Sequence, residues 1–133
     1  SIAYYSLISV KDYDDKLRQE HNLSWVSLEE LPQLYSDHNK MVQTALNILR
    51  HNISTEPLGF KLLPDLFTLT QLQHVYEAVL GSEIDKRNFR KRIKQIDFIE
   101  KTELIDKKTS KRGAALYRFN KKSYAEDPSF KLQ

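Results

Sequence analysis

The 133-residue chain has no cysteine, which excludes disulfides, thiolate catalysis and zinc sites built on sulfur. Glycine is almost as scarce. Gly59, Gly81 and Gly113 stand far apart, so no glycine-rich phosphate loop exists. No apolar run approaches the roughly 18 residues of a membrane-spanning helix, and no membrane role is expected. As written, the sequence opens without a charged-then-apolar leader, so a cytoplasmic protein is expected, consistent with the absent cysteines. What is present is ordinary for a folded chain: 40% hydrophobic and 29% charged residues. A chain of this size buries roughly two-thirds of its unfolded surface and needs no staples.

Catalytic constellations are equally thin. His21, His38, His51 and His74 show no metal-ligand spacing, and no metal or cofactor is expected. Asp14-Asp15 and Glu29-Glu30 are merely adjacent, which does not make an acid–base pair. No serine sits in a nucleophile elbow. The chain is therefore read as having no catalytic residues and as not being an enzyme.

The charge is where information lies. Residues 82–122 hold 14 Lys and Arg against 6 Asp and Glu, a net of +8, while the rest hold 7 against 12, a net of −5. Such a split within one chain favours a polyanion partner for the basic part, nucleic acid first. A solvated basic surface is the plain alternative.

The element pattern narrows this. Residues 2–10 alternate with β-branched and aromatic side chains and predict a strand; residues 11–22 are polar and predict a loop. Ser27 to Glu30 reads as a capped turn stopped near Pro32. Asp37 reads as the cap of a helix over 38–52, and residues 54–66 as a connector with apolar side chains packed down. Thr68 or Thr70 caps the next helix, each with a glutamine three residues on, and Gly81 ends it. Asp85 caps a third helix, 86–96. Residues 98–104 and 115–119 then read as the strands of a β-hairpin around the polar loop 106–113, and 123–133 as a loose tail.

Helix, short turn, helix, hairpin is the order of a winged helix-turn-helix, an α+β fold. On the third helix, with Phe89 at zero and about 100° per residue, Ile93 falls near 40° and Ile96 near 340°. Arg90, Lys94, Arg87 and Lys91 fall between roughly 100° and 200°, opposite that core stripe. Lys86 flanks the core side and Asn88 lies at the other edge. A helix of this kind fits the major groove, where arginine forks onto guanine, asparagine onto adenine, and lysine neutralises phosphate. The hairpin loop adds Lys107, Lys108, Lys111 and Arg112, suited to phosphates or the minor groove. Thr70 and Gln71, at the second helix's start, are further candidates for phosphate, though capping explains such residues without any ligand.

Several segments together resemble a known family, the Nudix-related transcriptional regulators of bacteria. They are Ala3 to Ile8, Trp25 to Pro32, Asp37-His38, Phe60 to Pro64, Phe67 to Gln73, Leu80-Gly81, Asp85 to Arg90 and Leu116 to Phe119. The resemblance implies a winged-helix domain that binds an inverted-repeat operator in double-stranded DNA as a homodimer. It also implies an N-terminal Nudix-like domain responding to ADP-ribose or to a pentose such as arabinose; the tail over 123–133 is similar to that of one group of members, which tilts the expectation toward sugar control. The Nudix box itself is absent. The expected organisation is residues 1–36 as the remnant of the Nudix-like domain, 37–122 as the DNA-binding winged helix, and 123–133 as a tail. The strand over 2–10 would then need a partner from elsewhere. Rival readings are a winged helix that docks a protein, an appended domain of a Nudix hydrolase and, more weakly, RNA binding, for which no aromatic platform stands out.

Overall fold

The computed structural model describes residues 2–8, 19 and 23–126. The chain forms two compact units, Ser1–Ile48 and Leu49–Gln133, and the division falls within a helix.

In the first unit, residues 2–8 carry no regular secondary structure, which corrects the strand expected there; residues 9 and 10 lie outside the described residues. An extended segment becomes a strand only when a neighbour takes its backbone donors and acceptors, and no ladder among the described residues includes this one. Most of the loop expected over 11–22 also lies outside the described residues. The Ser27 side chain accepts from the Glu30 N–H at 3.3 Å and caps a single 3-10 turn, Leu28–Glu30. Asn39 then accepts from the Leu34 N–H at 2.7 Å and donates to the Pro32 carbonyl at 3.0 Å. These bonds fix the approach to helix α1, His38–Thr55, three residues longer than expected.

The second unit contains every buried apolar side chain among the described residues, from Ile53 to Tyr117. Its connector is more ordered than expected: Leu58–Leu62 is a 3-10 helix. Gly59 packs closely there: a Cβ would stand 3.2 Å from Tyr76 Cε2 and 3.3 Å from Val75 Cγ1, so a larger residue would push on both side chains. Helix α2, Leu69–Leu80, opens with a complete capping box: Gln71 N–H donates to Thr68 Oγ1 at 3.1 Å and Thr68 N–H to Gln71 Oε1 at 2.9 Å. Thr68 is therefore the cap, and Thr70 lies inside the helix. Gly81 closes α2 in the left-handed region, φ 72°, where glycine carries no Cβ penalty.

Asp85 caps α3, Lys86–Lys94, by accepting from the Asn88 N–H at 2.8 Å. Phe89 and Ile93 turn inward, as the angles predicted. Strands β1, Ile99–Asp106, and β2, Ala114–Phe119, pair antiparallel. Their register slips between Lys101 and Ile105, where β1 bulges. The Thr102 hydroxyl fills the gap, donating to the Leu116 carbonyl at 2.8 Å and accepting from the Leu104 N–H at 3.2 Å. On the other side of β2, Phe67 and Tyr117 exchange both backbone bonds, at 3.0 and 2.7 Å, so the connector's end adds a one-residue third strand.

The loose tail expected after residue 122 is corrected in part. Lys121–Glu126 forms helix α4, and Tyr124 meets the rings of Phe98 and Phe119 at 5.1 and 5.8 Å. An aromatic anchor stabilises a short terminal helix that propensity alone would not.

Candidate nucleic-acid interface

Side chains of α2 set the turn between α2 and α3. Gln73 Nε2 donates to the Ile84 carbonyl at 3.1 Å, and Glu77 Oε2 accepts from the Ile84 N–H at 3.0 Å. Both backbone groups of one residue are thus held. Arg50 Nε donates to the Val79 carbonyl at 2.9 Å, satisfying an orphan acceptor at the end of α2 with a cation. The sequence reading missed all three, because each acts across the fold rather than along one element.

On α3, Arg87, Lys91 and Lys94, three of the four cations expected opposite the core stripe, are exposed, and so is Asn88, expected at the edge of that face. Arg90 differs. It is half-buried, and its Nη2 donates to Thr70 Oγ1 at 3.2 Å. Its Nε is buried without a hydrogen-bond partner among the described residues. The guanidinium therefore lies back against the start of α2 rather than standing out with Arg87 and Lys91.

That leaning helps form a cleft of about 780 Å³ between three elements. The first turns of α2 contribute Thr70, Gln71 and His74. Helix α3 contributes Lys86 and Arg90, and the hairpin contributes Thr109, Ser110, Arg112 and, at the floor, Tyr117. No carboxylate lines it. Three cations from two elements face one space, and an anion entering it meets no negative charge among the lining residues. Gln71 has one commitment already, since its Oε1 belongs to the capping box. His74, Thr109 and Ser110 were not singled out from sequence. The spacing held a clue for His74: it follows Thr70 by four residues and Gln71 by three, which places all three on one helix face.

Lys107, Lys108 and Lys111 do not line the cleft and are exposed on the hairpin loop. Asp106 shapes that loop. Its carboxylate accepts from the Thr109 hydroxyl and, at 2.9 Å, from the Lys108 N–H. The Thr109 hydroxyl and then the Lys108 N–H hold the carboxyl below the usual aspartate range. Gly113, at φ 81°, returns the chain to β2; a Cβ there would strike Ile105 Cγ2 at 2.7 Å. At the far end of the hairpin, Glu100 accepts from Asn120 at 2.6 Å and from Arg118 at 2.8 Å, and these bonds lower its pKa in that order.

Among the described residues no group of three or more His, Asp or Glu could hold a metal ion, and no helix is long and apolar enough to cross a membrane.

Residues 59–119 match the family model described as the NrtR DNA-binding winged helix domain. The ADPR responsive transcriptional repressor NtrR of Acinetobacter baylyi is 35% identical over 126 residues, which is 93% of this chain and 50% of the repressor. The chain thus spans about half the length of that curated relative. The crystal structure of Shewanella oneidensis NrtR complexed with a 27mer DNA superimposes with a TM-score of 0.68 at 26% identity, over 95% of this chain and 56% of that one. A second crystal structure of Shewanella oneidensis NrtR matches with a TM-score of 0.55 at 32% identity, over 74% of this chain and 43% of that one.

Proposed function

We propose, from the premise that residues 59–119 belong to the family of NrtR-type DNA-binding winged-helix domains, that this chain is the operator-binding part of a transcription regulator. The observation that carries the reading is the carboxylate-free cleft lined by Lys86, Arg90 and Arg112 beside the exposed cations of α3.

The roles divide by position. Arg87, Asn88, Lys91 and Lys94 enter the major groove, where Arg87 and Asn88 have the donors to read base edges. Thr70, Gln71, Lys86, Arg90 and Arg112 hold one stretch of phosphates in the cleft. On DNA the Arg90 guanidinium exchanges the Thr70 hydroxyl for a phosphate oxygen, a stronger charge-assisted bond. Lys107, Lys108 and Lys111 follow the backbone farther along, from the wing.

The whole protein acts as a homodimer on an inverted repeat, with half-sites about 10 base pairs apart or a multiple of that. Residues 1–36 belong to an effector domain most of which lies outside this chain. ADP-ribose is the favoured effector over a pentose, because the Acinetobacter relative is named as ADPR responsive. The protein is a cytoplasmic regulator rather than a hydrolase, in keeping with that relative's name as a repressor.

The test is a titration of an inverted-repeat duplex and a scrambled one over a series of salt concentrations, with Arg87→Ala beside the parent. Each phosphate contact steepens the dependence of log K on log salt by about 0.9. Loss of the Arg87 base contact costs roughly 1–3 kcal/mol and narrows the gap between the two duplexes. Absence of binding to either duplex at low salt sinks the reading and leaves α3 as a protein-docking or solvated face.

A further inference from the structure

We propose that Gln73 and Glu77 are positioning residues for sequence reading: by clamping Ile84 they set the angle at which α3 meets the bases, and so govern sequence preference rather than overall affinity. This role rests on the DNA-binding reading above and goes beyond it, since neither side chain lines the cleft.

Helix α3 is nine residues long, and two kinds of contact hold it to α2. Phe89 and Ile93 are buried, and the Phe89 ring meets that of Tyr76 at 6.1 Å. Apolar contact of this sort is non-directional and leaves a short helix room to pivot on its core stripe. Hydrogen bonds are directional. Gln73 and Glu77, four residues apart, share one face of α2, and both are half-buried. Gln73 Nε2 donates to the Ile84 carbonyl at 3.1 Å, and Glu77 Oε2 accepts from the Ile84 N–H at 3.0 Å. Those groups belong to two successive peptide planes, and the residue between them stands immediately before Asp85, the cap of α3. The Arg90 bond to Thr70, at 3.2 Å, is a second directional tie. On DNA that tie is exchanged for a phosphate, so the Ile84 clamp is the one that persists in the complex.

Recognition of a base edge tolerates misplacement of about 0.5 Å or 10–20°. A lysine on its flexible stem reaches a phosphate over a wider range. With Ile84 released, Arg87 and Asn88 in the first turn of α3 leave the geometry of base reading, while Lys91, Lys94 and the wing lysines still neutralise phosphates. Sequence preference then falls and the salt dependence stays. A clamp that served stability alone behaves otherwise. Its loss lowers the folded fraction, which weakens binding to every duplex by one factor and leaves the ratio between duplexes unchanged.

The probes are the duplex that the parent selects from a randomised pool and a scrambled duplex of the same composition. Dissociation constants for both are measured over a series of salt concentrations for the parent, Gln73→Ala, Glu77→Ala and Glu77→Gln, with circular dichroism checking the fold. The two alanine variants are each expected to shrink the ratio of the constants by about tenfold, the discrimination of one good base contact, while the slope on the scrambled duplex stays at the parent's. Glu77→Gln removes the charge but keeps an acceptor for the Ile84 N–H, and is expected to retain most of the parent's ratio. Folded fraction cancels from the ratio, so a destabilised variant is still readable. An alanine variant at either position that keeps the parent's ratio overturns the proposal. So does a Glu77→Gln ratio as low as that of Glu77→Ala, which makes the charge rather than the bond the cause. If the parent selects no sequence from the pool, the DNA-binding reading itself falls and takes the clamp's role with it.

Discussion

The Tyr76 hydroxyl is buried against Phe89 and beside Gly59, with no hydrogen-bond partner among the described residues, and burial pushes its pKa far above the usual phenol range. A buried donor without an acceptor costs about 1–3 kcal/mol, while the ring beneath it contributes by packing. Tyr76→Phe keeps the ring and removes the orphan. The expected result is a melting temperature unchanged or raised, checked by thermal circular dichroism; a drop of several degrees would mean that the hydroxyl has a partner. Burial of position 76 was legible from the helical spacing of Leu72, Val75, Tyr76 and Val79, but the state of its oxygen was not, because it depends on what lies opposite. Arg90 teaches the same thing from the surface. Its angle put it with the groove cations, yet a long side chain at the margin of a face reaches either way, and the Thr70 hydroxyl holds it 3.2 Å away on α2. Arg90→Ala is therefore expected to lower the salt slope more than it lowers the preference for the inverted repeat, whereas Arg87→Ala does the reverse; parallel titrations on both duplexes separate them.

Elements were read best where their signals are local. The caps at Thr68 and Asp85, the stop at Gly81 and the inward stripe of Phe89 and Ile93 all depend on residues within a few positions of one another. The third strand at Phe67, the bulge filled by Thr102 and the helix pinned by Tyr124 depend on pairing across the fold, which periodicity does not encode. The Thr68 box is the most exposed to test. Thr68 is buried, so Thr68→Ala removes a cap and a buried acceptor together, with an expected loss of about 1–2 kcal/mol in urea unfolding. The hairpin offers a pH test. Glu100 has its pKa lowered by Asn120 and then Arg118, and Asp106 by the Thr109 hydroxyl and then the Lys108 N–H. A depressed carboxylate contributes stability that is full above its unfolded value and is lost as pH falls through the folded one. The parent is thus expected to lose stability below the ordinary carboxylate values of 4.5 for Glu100 and 3.8 for Asp106. Glu100→Gln should lower the urea midpoint near neutral pH and converge on the parent in acid. A gap that persists unchanged in acid would show that the Glu100 charge is not what the hairpin uses.

At the scale of the molecule, the two compact units differ in kind. Every buried apolar side chain of the described residues lies beyond residue 49, including the ring cluster of Phe60, Phe67, Phe98 and Phe119. The first unit instead leaves Ile2, Tyr4, Tyr35 and Ile48 exposed. Cooperative unfolding follows the shared core, so the second unit holds what a two-state transition requires. Arg50, which grips the Val79 carbonyl, and Ile53, which is fully buried, both lie on its side of the division. A chain of residues 49–133 is therefore expected to melt in one sharp transition within a few degrees of the parent. Its salt slope on DNA should equal the parent's, because every residue assigned to DNA lies beyond residue 49. Of the elements that reach the second unit only α1 is shortened, and its residues from Leu49 to Thr55 stay. A broad melt of residues 49–133 would show instead that the first 48 residues supply part of the core. A shallower slope with a sharp melt would place a DNA contact among them.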